Sequence, residues 1–456
     1  MATITFGGLA TGLDTNSIIT QLTALERRRS VDLLTIQKGE AQATSAALQA
    51  FNSKLATFLS AVGGLRDSAS SISRTATSSS TSILTSTAGS GALKGSTSVT
   101  VNQLARGSIA ASSSTGFASE DATIAAGAGT FQFKVGTGDT QSIAIDGTTT
   151  LGQLATAIND LGAGVSASVV NIGTTATPDY RLRLASLGTG TSNEISIVND
   201  GTTLGVGVTQ SAQNASLSVS GFADPFTRES NVVGDVIPGV TLNLLQEGTS
   251  TVTVSADTAG TAAKVKAVVD AFNDLRGFVD QNSAVEQDGS SSDREVSLGP
   301  LALDSTVRTI LSGIHTNLSG GVEDVNGAYS LLAEIGVTSQ RDGTLAFDAA
   351  KLTSALGNDE QSVSALFAGS GGVEGVFDRL HSFVSGVTGA GGILGIRQTS
   401  VTNQIDTLQE RIEAGERQVD AYEANLRATF GSLETLVNSL QTQGNLLAQA
   451  LSGGSR

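Results

Sequence analysis

Val401-Thr-Asn-Gln-Ile405-Asp-Thr-Leu408-Gln-Glu-Arg-Ile412-Glu-Ala-Gly415-Glu-Arg-Gln-Val419-Asp-Ala-Tyr422-Glu-Ala-Asn-Leu426 opens a stretch in which apolar residues return every seven positions. One set runs through Ile405, Ile412, Val419, Leu426, Leu433, Leu440 and Leu447. A second set interleaves at Val401, Leu408, Tyr422, Phe430, Val437 and Leu451. Alternate steps of three and four keep one stripe on one side of a helix, the pattern of a seam that needs a helical partner. Leu48, Phe51, Leu55, Phe58, Val62 and Leu65 repeat it near the start of the chain. Both ends therefore read as long amphipathic helices, and the two stripes are the candidate assembly seam. Gly415 falls on the seam and the spacing slips at Phe430; both read as places where a coiled coil loosens.

Working inward, Asp14-Thr15-Asn16-Ser17 offers N-cap oxygens ahead of Ile18, Leu22 and Leu25, so the first helix starts there. Its period weakens between Arg27 and Thr44, with a break expected near Gly39. From 83 to 260 the period changes to two, as at Val99 and Val101, Phe131 to Val135, Ile143 and Ile145, and Val165 to Val169. Such runs between Gly, Asp and Asn are strands with one wet face. One short helix interrupts them, capped at Thr149 or Thr150, with Leu151, Leu154, Ile158 and Leu161 inward and Gly162 past its end. Helix returns at 262 with Val265, Val268, Phe272, Leu275 and Val279. A polar loop, 281–297, precedes a helix capped by Asp304-Ser305, and Asp342-Gly343 marks a hairpin. Shorter helices follow, and glycines from 389 to 395 make a joint before the final helix.

Helix, β-rich middle, helix is an order in which each inner domain is inserted into an outer one. The expected fold class is α+β, a nested multidomain rod with terminal coiled-coil helices, a helical leg domain and β-rich head domains. The expected boundaries are 1–45 with 396–456 for the terminal coiled coil and 46–98 with 262–395 for the leg. They are 99–125 with 188–261 for the inner head and 126–187 for the outer head.

Composition narrows the functions. The 456 residues suffice for about three domains of ~150 residues. Charged residues are 15%, below the ~25% of typical globular chains, and Gly, Ser, Thr and Ala fill the space, so a hydroxyl-rich surface is expected. The net charge of -16 opposes nucleic acid and acidic membranes. Glu26-Arg27-Arg28-Arg29 is the one cationic cluster and reads as a solvated helix face. With no cysteine, disulfides and thiolate chemistry are excluded. No basic-then-apolar leader opens the sequence and no apolar run reaches the ~20 residues of a membrane span, so neither a cleaved signal peptide nor membrane insertion is expected.

Catalytic motifs are missing. His315 and His381 lie in helical stretches beside apolar neighbours and read as structural. Zinc motifs, a nucleophile elbow, a phosphate-binding loop and a dinucleotide fingerprint are absent from the sequence. Glu323-Asp324 and Asp359-Glu360 fit loops or helix starts, and Asp324-Val-Asn326-Gly327 lacks the remaining ligands of a calcium loop. No enzyme activity, cofactor or metal is expected.

Several segments resemble one family. Phe6-Gly-Gly-Leu-Ala-Thr-Gly-Leu-Asp-Thr-Asn-Ser-Ile-Ile-Thr-Gln-Leu-Thr-Ala-Leu-Glu26 is similar to the start of flagellar hook-associated protein 2, the bacterial filament cap protein. Val99-Thr-Val-Asn-Gln-Leu-Ala105, Ser230-Asn-Val-Val-Gly-Asp-Val-Ile-Pro-Gly-Val-Thr-Leu242, Val268-Val-Asp-Ala-Phe-Asn-Asp-Leu275 and Leu332-Ala-Glu-Ile-Gly-Val-Thr-Ser-Gln-Arg-Asp-Gly-Thr-Leu345 continue the resemblance in order. The unit around Ile143–Val169 resembles the repeat inserted in flagellins and cap proteins, which makes the outer head a flagellin-type insert. The resemblance implies a homo-oligomeric ring at the flagellum tip, outside the cell, that retains exported flagellin and promotes its folding and insertion. It implies contact with hook–filament junction proteins and a flagellar export chaperone bound to the C-terminal region. It also implies export by the flagellar secretion apparatus. Rival readings are another axial flagellar junction protein, and a tip adhesin whose head binds host glycans.

Overall fold

The computed structural model describes residues 14–287, 296–322 and 327–453. The opening segment 1–13, the centre of the polar loop, the Glu323-Asp324 pair and the side chain of Leu451 lie outside the described residues. The chain forms two compact units. One runs to Ser68 and takes in Ala263–Ala355 and the chain from Gln361 onward. The other is Ala69–Ala262 with Leu356–Glu360.

Elements follow in chain order. Helix α1 (Thr15–Arg27) passes through a π turn (Arg28–Asp32) into α2 (Leu33–Gly63). Then come β1 (Arg74–Ser78), β2 (Leu84–Ala88), β3 (Gly95–Gln103), β4 (Ile109–Ser112), β5 (Gly129–Val135) and β6 (Gln141–Ile145). Helix α3 (Leu151–Asp160) precedes β7 (Val165–Asn171), β8 (Tyr180–Ser186), β9 (Ile195–Asp200), β10 (Val206–Gln210) and β11 (Ala215–Val219). Next are β12 (Phe226–Arg228), β13 (Val232–Ile237), β14 (Val240–Leu244) and β15 (Gly248–Ala256). The remainder is α4 (Thr258–Asn282), β16 (Val285–Gln287), β17 (Val296–Leu298), α5 (Ser305–Ser319), β18 (Val337–Ser339), β19 (Leu345–Phe347), α6 (Ala349–Asn358), α7 (Glu360–Ala368), α8 (Val376–Thr388) and α9 (Ile393–Gly453).

In the first unit, α1 starts where the sequence offers its cap: Oδ1 of Asp14 accepts from the Ser17 amide at 3.0 Å. Gly39 does not break α2, which runs through it; the irregularity lies earlier, in the π turn. The apolar faces of α2, α4, α5, α7, α8 and α9 all contribute buried side chains, with the Phe58 and Phe272 rings 6.2 Å apart. The β18–β19 hairpin turns on Asp342-Gly343, where Gly343 sits at φ +81°, a conformation an L side chain rarely adopts.

The second unit has two apolar cores. One joins a five-stranded antiparallel sheet, β1-β15-β3-β11-β12, to a three-stranded sheet, β13-β14-β2, through Val99, Val101, Leu217, Val252, Leu84, Val233 and Leu242. The other face of the five-stranded sheet is hydroxyl-rich: Ser96 and Thr253 bond at 3.1 Å, Thr100 and Thr249 at 2.8 Å, and Asn102 donates to Ser218 at 2.9 Å. The second core gathers Phe131, Phe133, Leu151, Leu154, Ile158, Leu182 and Leu184 from the sheets β10-β4-β8-β7 and β6-β5-β9 and from α3. Thr150 and Gln153 close a capping box at the start of α3, and Gly162 follows it at φ +58°. This second module is inserted between β3 and β11, where Arg106 and Gln213 pair backbone to backbone at 2.9 and 3.1 Å.

Candidate assembly interface

Two stretches of the terminal helices carry the candidate seam, and the structure divides it. Leu48, Phe51, Leu55, Phe58, Val62 and Leu65 are all 0% exposed, buried within a single chain. On α9, Val401, Leu408 and Val419 are buried as well. Ile405, Ile412, Leu426, Phe430 and Val437 are half-buried. Tyr422, Leu433, Leu440 and Leu447 are exposed, and Leu436 and Leu446 with them. The stripe that closes against the first helices is thus Leu394, Val401, Leu408 and Gly415, one residue in seven. Past Val419, α9 grows more open along its length.

Polar contacts fix the antiparallel pairing of α9 with α1 and α2. Nε2 of Gln398 donates to the Leu48 carbonyl at 3.3 Å, and Nζ of Lys38 donates to Oε1 of Gln409 at 2.5 Å. The Arg27 guanidinium pairs with the Glu416 carboxylate, and Nε2 of Gln418 donates to Oε1 of Glu26 at 3.4 Å. Arg27, Arg28 and Arg29 are exposed, in keeping with a solvated face, and from that face Arg27 and its neighbour Glu26 also reach side chains of α9. Gly415 does not loosen the seam. It is buried, and a Cβ there would come within 3.0 Å of both the Ser30 carbonyl oxygen and Cγ2 of Val31.

Several working residues escaped the sequence reading. Asn159, Asn231 and Asn273 each bind both backbone groups of one residue, Ala167, Ala105 and Leu345 respectively, at 2.8–2.9 Å. Each side-chain amide satisfies a backbone donor and acceptor together, at a strand edge for Ala167 and Leu345 and just past β3 for Ala105. Asn231 and Asn273 lie inside the quoted motifs, a signal of importance that does not reveal the role. At the end of α2, Nη1 of Arg66 lies 3.1 Å from Nδ1 of His381. Burial first, and the Arg66 charge second, hold the His381 imidazole below its usual range, against the opposing pull of Asp378.

The arrangement defines a nested multidomain protein: both ends of the chain build a helical unit, the β modules are inserted between them in sequence, and no helix among the described residues is long and apolar enough to cross a membrane. The flagellar hook-associated protein 2 C-terminus family matches residues 212–442, its N-terminus counterpart residues 11–108, and the flagellin hook IN motif residues 130–188. The chain belongs to the flagellar hook-associated protein 2 family, the flagellar filament cap proteins. It is 30% identical to flagellar hook-associated protein 2 of Escherichia coli K12, over 100% of this chain and 99% of that protein. It is also 30% identical to the B-type flagellar hook-associated protein 2 of Pseudomonas aeruginosa PAO1, over 98% and 94%. The crystal structure of the D1-D2-D3 domains of the flagellar cap protein FliD from Escherichia coli superposes with a TM-score of 0.59 at 28% identity, covering 78% of this chain and 99% of that one.

Proposed function

We propose that this protein works at the distal tip of the growing flagellum as a homo-oligomeric ring that retains exported flagellin and promotes its folding and insertion, acting as a structural assembly factor and not as an enzyme. The observation that carries the reading is the match to cap proteins along the whole chain. The exposed leucines of α9, from Leu433 to Leu447, add a physical reason. Burying apolar surface yields about 25 cal/mol per Å², so an open leucine stripe favours a helical neighbour. Within the assembly seam, the distal stripe of α9 is the part free to meet another subunit, flagellin or a hook–filament junction protein. The same stripe is a site for a flagellar export chaperone before secretion, and the lack of cysteine suits passage through a narrow export channel.

Four domains fit this role: a terminal coiled coil, a helical leg, an inner head and an outer head with the flagellin-type insert. The cores argue for two shifts of boundary. The inner head gains β1 and β2 from the stretch before 99, and the outer head takes β4, β9 and β10.

The test is a deletion strain complemented with the intact gene. Without the protein, cells should shed flagellin monomer and build no long filaments, and complementation should restore them. Normal filaments in the deletion strain would falsify the capping role.

A further inference from the structure

The crossing of the terminal helices is built around a phase change. Thr15 and Ile19 are the buried residues of α1, and Val31 is the next buried position. Eleven residues make about three turns of an α-helix, so an unbroken helix would bring Ser30 beneath Ile19. The π turn, Arg28–Asp32, inserts one residue and brings Val31 into line instead. Opposite this turn lies Gly415, in the heptad row of Leu394, Val401, Leu408 and Tyr422. The backbone oxygen of Ser30 and Cγ2 of Val31 each lie 3.0 Å from where a Cβ would go, close enough that they would have to give way.

We propose that Gly415 and the π turn form a register lock that fixes how far the C-terminal helix runs past the N-terminal one. A slip by one heptad in either direction would bring Leu408 or Tyr422 against Ser30, where not even a Cβ fits without displacement. A slip would also part Lys38 from Gln409, Arg27 from Glu416 and Glu26 from Gln418. One register alone closes the helices and makes all these bonds. It sets α9 beyond about residue 431 as an overhang of fixed length past Asp14, about 34 Å at 1.5 Å per residue. Gly415 is therefore a positioning residue for the exposed stripe of Leu433 to Leu447. This inference stands apart from the capping reading, because it concerns pairing within one chain.

The chain has no cysteine, so paired cysteine substitutions report register without background. In the full-length protein, the pair Lys38→Cys with Gln409→Cys, which replaces side chains that meet at their tips, should be joined rapidly by a short bifunctional thiol reagent that spans the same gap. The pairs one heptad away, Lys38→Cys with Thr402→Cys or Glu416→Cys, should be joined by the same reagent at least tenfold more slowly, being displaced by about 10 Å along the helix. Adding Gly415→Leu should slow the in-register pair at least tenfold or speed a slipped pair, and Gly415→Ala should fall between. Deleting Arg29 provides a second variant: the Lys38/Gln409 pair should keep its rate, while Glu26→Cys with Gln418→Cys should lose its own. Unchanged in-register rates with Gly415→Leu, unchanged Glu26/Gln418 rates after the deletion, or equal rates for slipped pairs in the parent would each overturn the lock.

Discussion

Nε of Arg397, in the second turn of α9, donates to Oδ2 of Asp304 at 2.8 Å, while Oδ1 of the same carboxylate accepts from the amides of Thr306 and Val307 at 3.0 and 3.2 Å. One buried carboxylate thus starts α5 and anchors the root of the long C-terminal helix. Asp304 is 2% exposed and Arg397 34%, so the pair is shielded on one side and partly screened on the other.

Replacing Asp304 should separate these duties. Asp304→Ala removes an N-cap, about 1 kcal/mol, and strands a half-buried guanidinium, for a total loss of about 2–3 kcal/mol. Asp304→Asn keeps an amide acceptor for the cap but gives up the charge, and should cost roughly half as much. Urea unfolding followed by circular dichroism measures both; an alanine variant within about 0.5 kcal/mol of the parent would remove Asp304 from this role.

Asn273 makes a second prediction. Its side chain accepts from the Leu345 amide at 2.8 Å and donates to the Leu345 carbonyl at 2.9 Å, tying the β18–β19 hairpin to α4. Asn273→Ala leaves two backbone groups without a partner and should cost about 1–3 kcal/mol. Asn273→Asp keeps the acceptor alone and should be intermediate. Hydrogen exchange at the Leu345 amide reads the effect locally; protection unchanged in Asn273→Ala would show that the pairing contributes nothing.

Why one part of such a contact was readable and the other was not follows from where each partner lies. Asp304 announces itself as a cap because its donors are two and three residues away, whereas Arg397 is 93 residues off and no local pattern links them. The coiled-coil ends, the helix from Leu151 and the alternating strands were legible because apolar spacing records them directly, and the Asp342-Gly343 hairpin because its turn residues do; Leu161, expected inward, is instead 42% exposed at the end of α3. Strands β1 and β2 were not, since Arg-Thr-Ala-Thr-Ser and Leu-Thr-Ser-Thr-Ala hold few apolar side chains and take their place from sheet partners. The fading period after Arg27 was real, but its cause is one inserted residue at the π turn and not a break at Gly39. A helix interior tolerates glycine at about 1 kcal/mol, which packing elsewhere on α2 readily offsets. The seam was found as a stripe, yet spacing alone could not tell which of its residues the same chain would cover.

Truncation should expose that division. Ending the chain after Phe430 removes the exposed leucines and touches no fully buried side chain of the described residues, so thermal unfolding should stay close to that of the parent. Ending it after Gly395 strips Val401 and Leu408 from the first unit, at about 1.5–3 kcal/mol for each buried side chain, a large part of ordinary domain stability. The strand-rich second unit, with its own two cores, should keep its β signal in both cases. Loss of all structure in the shorter variant would show that the β modules depend on the helical unit.

Acid titration gives the last prediction, through His381. Burial and the neighbouring Arg66 hold its pKa below the ordinary value of 6.5, so the folded chain resists a proton that the unfolded chain accepts. Above about pH 7 both states are neutral at this ring, and it makes no pH-dependent contribution. As the pH falls through 6.5 the unfolded state gains a proton first, and stability declines until the depressed folded value is reached, below which the loss is constant. Asp146, Asp179, Asp235 and Asp342 behave differently. Hydrogen bonds hold their carboxyls below 3.8, so the stability they add persists well below pH 5 and is lost only in stronger acid. The window between about pH 7 and 5 therefore isolates the imidazole. His381→Gln should flatten the decline in urea-derived stability across that window while leaving the steeper fall below pH 4 in place. Identical slopes for parent and variant between pH 7 and 5 would mean that the Arg66–His381 contact does not couple folding to the proton.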